Sequence, residues 1–190
     1  MTIQELFIRC NEELQIVVDQ IGRDQWDLQM PDGTSTRPTT LREAVNYHAY
    51  DDAWVPDVLA GKTIAEVGTE YDVILTSQAT KLEYAAQNAR AMEAVRAFTD
   101  LDRIVHLSYG DFPAREYLLH ISSFRGFRIY DIAKLIGVDT RMADDLVQGL
   151  WEHLTPVIEA YRQMGVFPAA VPVPETADQQ TKLLGLAGRQ

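Results

Sequence analysis

Apolar residues return every three or four positions through most of this chain, the spacing of helices that bury one face. Leu6, Cys10, Leu14, Val17 and Ile21 form the first such stripe. Ahead of it, Thr2 and Glu5 have the spacing of a capping box, in which side chains and backbone satisfy each other at a helix start. Gly22 marks the end. A second helix is predicted from Leu41 to Gly61, with Thr40 and Glu43 as its capping box. Its stripe is Leu41, Val45, His48, Asp52, Val55 and Leu59. Pro56 removes one helical hydrogen bond and predicts a kink, and Gly61 is the stop. Between the two helices, residues 27–39 carry Pro31, Asp32–Gly33 and Pro38, which preclude a regular element.

A third, Ala-rich helix is predicted over Tyr71 to Phe98. Its inner face is Val73, Ile74, Leu82, Ala85, Ala86, Ala89, Met92 and Val95. Residues 101–112 alternate briefly and contain Tyr109–Gly110, which predicts a short extended crossover or hairpin. Pro113 opens a fourth helix that runs to Ile136 and stops at Gly137. Asp139 or Thr140 caps a fifth, ending near Gly165. Four to five helices with one longer crossover predict an all-α bundle over residues 1–165. Residues 166–190 form a Pro-rich tail, packed on the bundle or trailing from it.

Composition narrows the picture. A chain of 190 residues suits one domain with a sizeable core. With 46% hydrophobic and 24% charged residues, a folded globule is expected rather than a disordered chain. The net charge of -11 argues against nucleic acid or an anionic membrane surface as partner, since both need a basic footprint. Cys10, the only cysteine, lies in an apolar stripe and is read as a small buried hydrophobe. No apolar run reaches the ~20 residues of a membrane span. The acidic, helical N-terminus is unlike a signal peptide, so a cytoplasmic location is expected.

Several segments carry a resemblance. They are His48 within LREAVNYHAYDDAWVPDVLAG, the helix end FRIYDIAKLIG, Gly110-x-x-Pro113, and the tail pattern Val171-Pro-Val-Pro, Leu183-Leu184, Gly188-Arg189. Over almost the whole chain these resemble the DinB-like superfamily, in the branch of the mycothiol-dependent maleylpyruvate isomerase N-terminal domain. The resemblance implies a DinB-like four-helix bundle with one long crossover, a fifth helix and a short C-terminal tail. It also implies a metal held by a His on the second helix and by a Glu and a His one turn apart on a later one. His48 stands at the first position; Phe124 and Arg128 stand at the other two. A phenyl ring has no donor atom and a guanidinium repels a divalent cation. A degenerate metal site with no cofactor is therefore expected. Asp131 matches a family position expected to make a structural hydrogen bond.

On this basis Arg128 takes over the metal's positive charge and pairs with Asp52 or Asp51, with His48 alongside. Such a pair either fixes helix register or forms a pocket in which Arg128 anchors an anionic ligand and His48 acts as acid or base. In the second case His48, Arg128 and Asp52 are the catalytic set, and Tyr47, Trp54, His120, Phe124 and Tyr130 line a small-molecule pocket. Tyr50 and Phe127 extend that aromatic cluster, whose alternative role is core. Ser122 and Ser123 have no base at a matching position, so neither is read as a nucleophile. Two other functions remain open. One is a metal enzyme using zinc or nickel with mycothiol for thiol S-transfer or isomerisation, its ligands shifted to His48, His120 and Asp52. The other is a non-catalytic regulatory homodimer formed through Trp151 or the first helix.

Overall fold

Residues 1–31 and 39–189 are described by a computed structural model. The turn expected at Asp32–Gly33 and Pro38 lies outside them. Both expected capping boxes form. At the start of α1 (Ile3–Asp19), the Glu5 amide donates to Thr2 Oγ1 at 3.2 Å, and the Thr2 amide donates to the Glu5 carboxylate at 2.7 Å. Thr40 and Glu43 repeat this pattern at the head of α2 (Leu41–Ala60). α2 continues through Pro56 and ends on Gly61 at φ 85°, left-handed backbone that glycine adopts without strain. The stripes expected on both helices are buried. A third capping box, Thr63 with Glu66, opens the one-turn α3 (Ile64–Val67).

The third expected helix is divided. A 3₁₀ turn covers Asp72–Thr76, and α4 spans Thr80–Ala97. Its inner face is also rotated. Thr80, Tyr84, Asn88, Ala91 and Val95 are buried, whereas Val73 and Leu82 are 73% and 77% exposed. An Ala-rich segment has little apolar surface with which to fix its own rotation. Polar contacts help fix it instead: Asn88 Nδ2 donates to the Asn11 carbonyl at 3.1 Å.

The crossover is a hairpin, with β1 (Ile104–Leu107) antiparallel to β2 (Gly110–Pro113). It leads directly into α5 (Ala114–Ile136), which ends on Gly137 at φ 75°. The fifth expected helix is two: α6 (Asp144–Leu154) and α7 (Ile158–Gln163). Pro156, which lacks an amide hydrogen, lies at the break. α6 starts later than expected because the Asp139 carboxylate accepts from the Arg141 amide in a local turn instead of capping a helix. The tail folds back and ends in α8 (Gln179–Leu186).

The molecule is thus mostly helical, with one small sheet. α2 lies along α4, α1 packs against α4 and α5, α6 covers α5, and α8 covers α6. A Cβ at Gly126 would come within 2.6 Å of Leu150 Cδ1, so this glycine lets α6 approach α5 closely. Cys10 is fully buried, its thiol donating to the Ser122 carbonyl at 3.3 Å, and burial pushes that thiol up to about 12. Leu183, Leu184 and Ala187 are buried in the tail. Arg189 reaches back to α5 and grips both oxygens of Asp131 at 2.9 Å. No described helix is long and apolar enough to cross a membrane.

Candidate functional site

The inward stripe of α5 is Leu118, Ser122, Arg125, Ile129, Ile132 and Ile136, spaced alternately by four and three. Like the α2 stripe, it is apolar at both ends and polar in the middle. The two polar centres meet. Arg125 Nη2 donates to Asp52 Oδ1, and both side chains are fully buried. Asp52 therefore pairs with Arg125, not with Arg128 as expected. Three residues separate the two arginines, which puts Arg128 about 60° round the helix axis, off the inward seam. Arg125 also lies 5.5 Å over the Phe7 ring. Burial works to lower the Arg125 pKa, but Asp52 and Asp51 overcome it and the net shift is upward. Burial raises the Asp52 carboxyl, with Arg125 pulling the other way. Asp51, which is half-buried, is pushed up to about 7, mainly by burial and further by Asp52, against the attraction of Arg125.

His48 is 1% exposed, and neither ring nitrogen has a hydrogen-bond partner among the described residues. Burial, reinforced by the charges of Arg128 and Arg125, lowers its pKa well below the ordinary value, so the ring is neutral. Phe124 covers it, with ring centroids 4.9 Å apart. The Arg128 guanidinium lies 5.0 Å over the other partner, the Phe124 ring, and is itself buried. Burial lowers the Arg128 pKa to about 10 despite the attraction of Asp131. His48, Phe124 and Arg128 thus converge, but they do not fit a divalent metal: one neutral imidazole faces a phenyl ring and a cation.

A cavity of about 330 Å³ opens on the far side of Phe124. α5 supplies one wall through His120, Ser123, Phe124 and Phe127, residues at helical spacing on one face. The hairpin contributes Tyr109 and Phe112, and α7 contributes Tyr161. The chain after α7 adds Met164, Val166 and Phe167, and Arg189 from the tail also lines it. His120 sits in an aromatic cage, with ring centroids 5.2 Å from Phe112, 5.4 Å from Tyr161 and 5.8 Å from Tyr109. Its Nδ1 is 3.2 Å from the Tyr109 hydroxyl. Burial lowers the His120 pKa, although Glu116 opposes this. Burial also pushes the Tyr109 and Tyr161 phenols up to about 12.

The residues expected to form one pocket are therefore distributed. His120 and Phe124 line the cavity; Tyr47, Trp54 and Tyr130 do not. Tyr47, Tyr50, Trp54 and Tyr71 form a separate ladder with successive centroids 6.1, 6.0 and 5.8 Å apart. The cause is helical phase: aromatic positions on one helix that differ by a fraction of a turn face different neighbours. The shifted metal set of His48, His120 and Asp52 does not assemble. Among the described residues no three His, Cys, Asp or Glu side chains converge on a possible ion. Asp52 is committed to Arg125, and His120 to its aromatic cage.

Sequence reasoning missed Arg125, although its place in the four-three seam of α5 marks it as inward-facing. It also missed Tyr109, Phe112, Tyr161 and Phe167, which come from separate short elements and share no periodicity. Asp131 does serve structure, through Arg189. Comparison of the chain with models of protein families, with curated proteins and with solved structures found no match.

Proposed function

We propose that this protein binds a small, largely apolar molecule in the cavity beside α5, without a catalytic metal, on a DinB-like four-helix bundle of α1, α2, α4 and α5. The observation that carries the binding reading is the cavity itself. Its volume, about 330 Å³, lies at the lower end of the range for small-molecule sites. Its walls are aromatic, with only a few polar groups among them, which is the composition such sites share. Support for the DinB-like fold is the meeting of His48, Phe124 and Arg128, together with the hairpin crossover ahead of α5.

Binding is favoured over catalysis because the expected acid–base residue is walled off. His48 is enclosed behind Phe124, and the Asp52–Arg125 pair lies within the helix core. Neither contributes to the cavity lining. The test uses N-phenyl-1-naphthylamine, a neutral fluorophore that brightens in apolar surroundings. Saturable one-to-one binding is expected. Val166 is 61% exposed and lines the cavity, so Val166→Trp obstructs it without disturbing the core. This variant should lose at least about tenfold in affinity, roughly 1.4 kcal/mol. Absence of saturable binding, or equal binding by the variant, overturns the reading.

A further inference from the structure

The cavity contains charged and titratable side chains, yet its described residues offer no free charge to a ligand. Among the described residues Arg189 is the only arginine or lysine in its lining, and all three guanidinium nitrogens are engaged. Nε and Nη2 donate to the two Asp131 oxygens, and Nη1 donates to the Ala187 carbonyl at 3.2 Å. The face of Arg189 lies 4.6 Å over the Phe127 ring. Among the described residues the lining contains no Asp or Glu. His120 has Tyr109 at Nδ1, with Glu116 3.6 Å from Nε2.

Among the described lining residues, one buried polar atom has no such engagement. Ser123 is 3% exposed and lines the cavity, and its buried hydroxyl has no hydrogen-bond partner among the described residues. A buried, unmatched hydroxyl is costly, and a ligand that supplies its partner recovers that cost. An ion placed in the same cavity would lose its hydration and find no opposite charge. The chain's net charge of -11 further disfavours an anion. The aromatic faces and edges favour a flat ring.

We propose that the cavity recognises an uncharged, planar aromatic molecule of one or two rings bearing a hydrogen-bonding substituent, which meets the Ser123 hydroxyl. This rests on the binding reading above and sharpens it to a ligand class.

The experiment titrates the chain at pH 7 with four probes of similar ring: 2-naphthol, 2-naphthoate, 2-naphthylmethylammonium and unsubstituted naphthalene. Binding is read by calorimetry and by amide chemical shifts around residues 120–127. The expected result is that 2-naphthol binds at least about tenfold more tightly than either ion. Ser123→Ala should weaken 2-naphthol about fivefold and leave naphthalene unchanged. Equal or tighter binding of an ion overturns the charge-neutral class while leaving the binding reading intact. Equal loss of naphthol and naphthalene in Ser123→Ala overturns the role of the hydroxyl. If no probe binds or shifts these amides, the binding reading fails and this inference fails with it.

Discussion

Two Arg–Asp pairs grip α5, and they differ in nearly everything except chemistry. Asp52–Arg125 joins α2 to α5 with both side chains fully buried. Asp131–Arg189 joins α5 to the tail, with the arginine side chain 19% exposed and the aspartate 5%. The outer pair is complete: both carboxylate oxygens and both facing nitrogens are matched. The inner pair is incomplete. Asp52 Oδ2 and Arg125 Nε and Nη1 have no hydrogen-bond partner among the described residues. A complete pair at the rim is a modest stabiliser that holds the tail segment against α5. An incomplete pair in the core adds little net stability, yet loss of one partner strands a charge. Burial therefore makes the inner pair intolerant of losing one partner, while the outer pair holds the tail to α5 beside the cavity.

The largest expected effect comes from separating the inner pair. Asp52→Ala leaves Arg125 buried and poorly compensated and should cost about 3–5 kcal/mol in urea unfolding. The double variant Asp52→Leu with Arg125→Met should recover most of that loss. If the single variant is as stable as the parent, the charge is not isolated by the fold and the contrast with the rim pair collapses.

Arg189→Ala is the matching change at the rim. It should cost about 1–2 kcal/mol, since it removes charge-assisted bonds from a partly exposed site. Hydrogen exchange should quicken over residues 179–189, and N-phenyl-1-naphthylamine binding should weaken because Arg189 lines the cavity. A loss as large as that of Asp52→Ala would show that burial does not separate the two pairs.

The smallest effect is pH-dependent. Asp51 titrates at about 7 rather than its ordinary 3.8, so the folded chain holds this proton more tightly than the unfolded chain does. Its contribution to stability is fully present below about pH 4 and is lost as pH rises through about 7. Asp51 is partly exposed, so solvent screens much of this shift. Asp51→Asn should therefore melt above the parent at pH 8 by only about 3 °C, and the difference should vanish below pH 4. A constant difference across that range would show that Asp51 is not held in the low-dielectric setting beside the inner pair.

The parts of the fold legible in the sequence are those with strong local signals. Thr2–Glu5 and Thr40–Glu43 announced their helices, Gly61 and Gly137 ended them, and the stripe through His48 and Asp52 gave the buried face of α2. Where the local signal was weak, the reading slipped. The Ala-rich α4 carried too little apolar contrast to reveal its face, and Pro156 was passed over within an otherwise helical run. At the centre of α5 the expected and observed partners of Asp52 lie three positions apart, Arg128 against Arg125.

By itself the sequence determined the capped starts of α1 and α2, the glycine stops at Gly61 and Gly137, and the buried stripes of α1 and α2. These follow from spacing and residue chemistry along one segment at a time. The tertiary structure alone decided which arginine meets Asp52, that Phe124 separates His48 from the cavity, and that a hairpin turn, a short helix and the chain's tail complete one aromatic pocket. Those facts depend on helix rotation and on contacts between residues far apart in sequence, for which local periodicity carries no information.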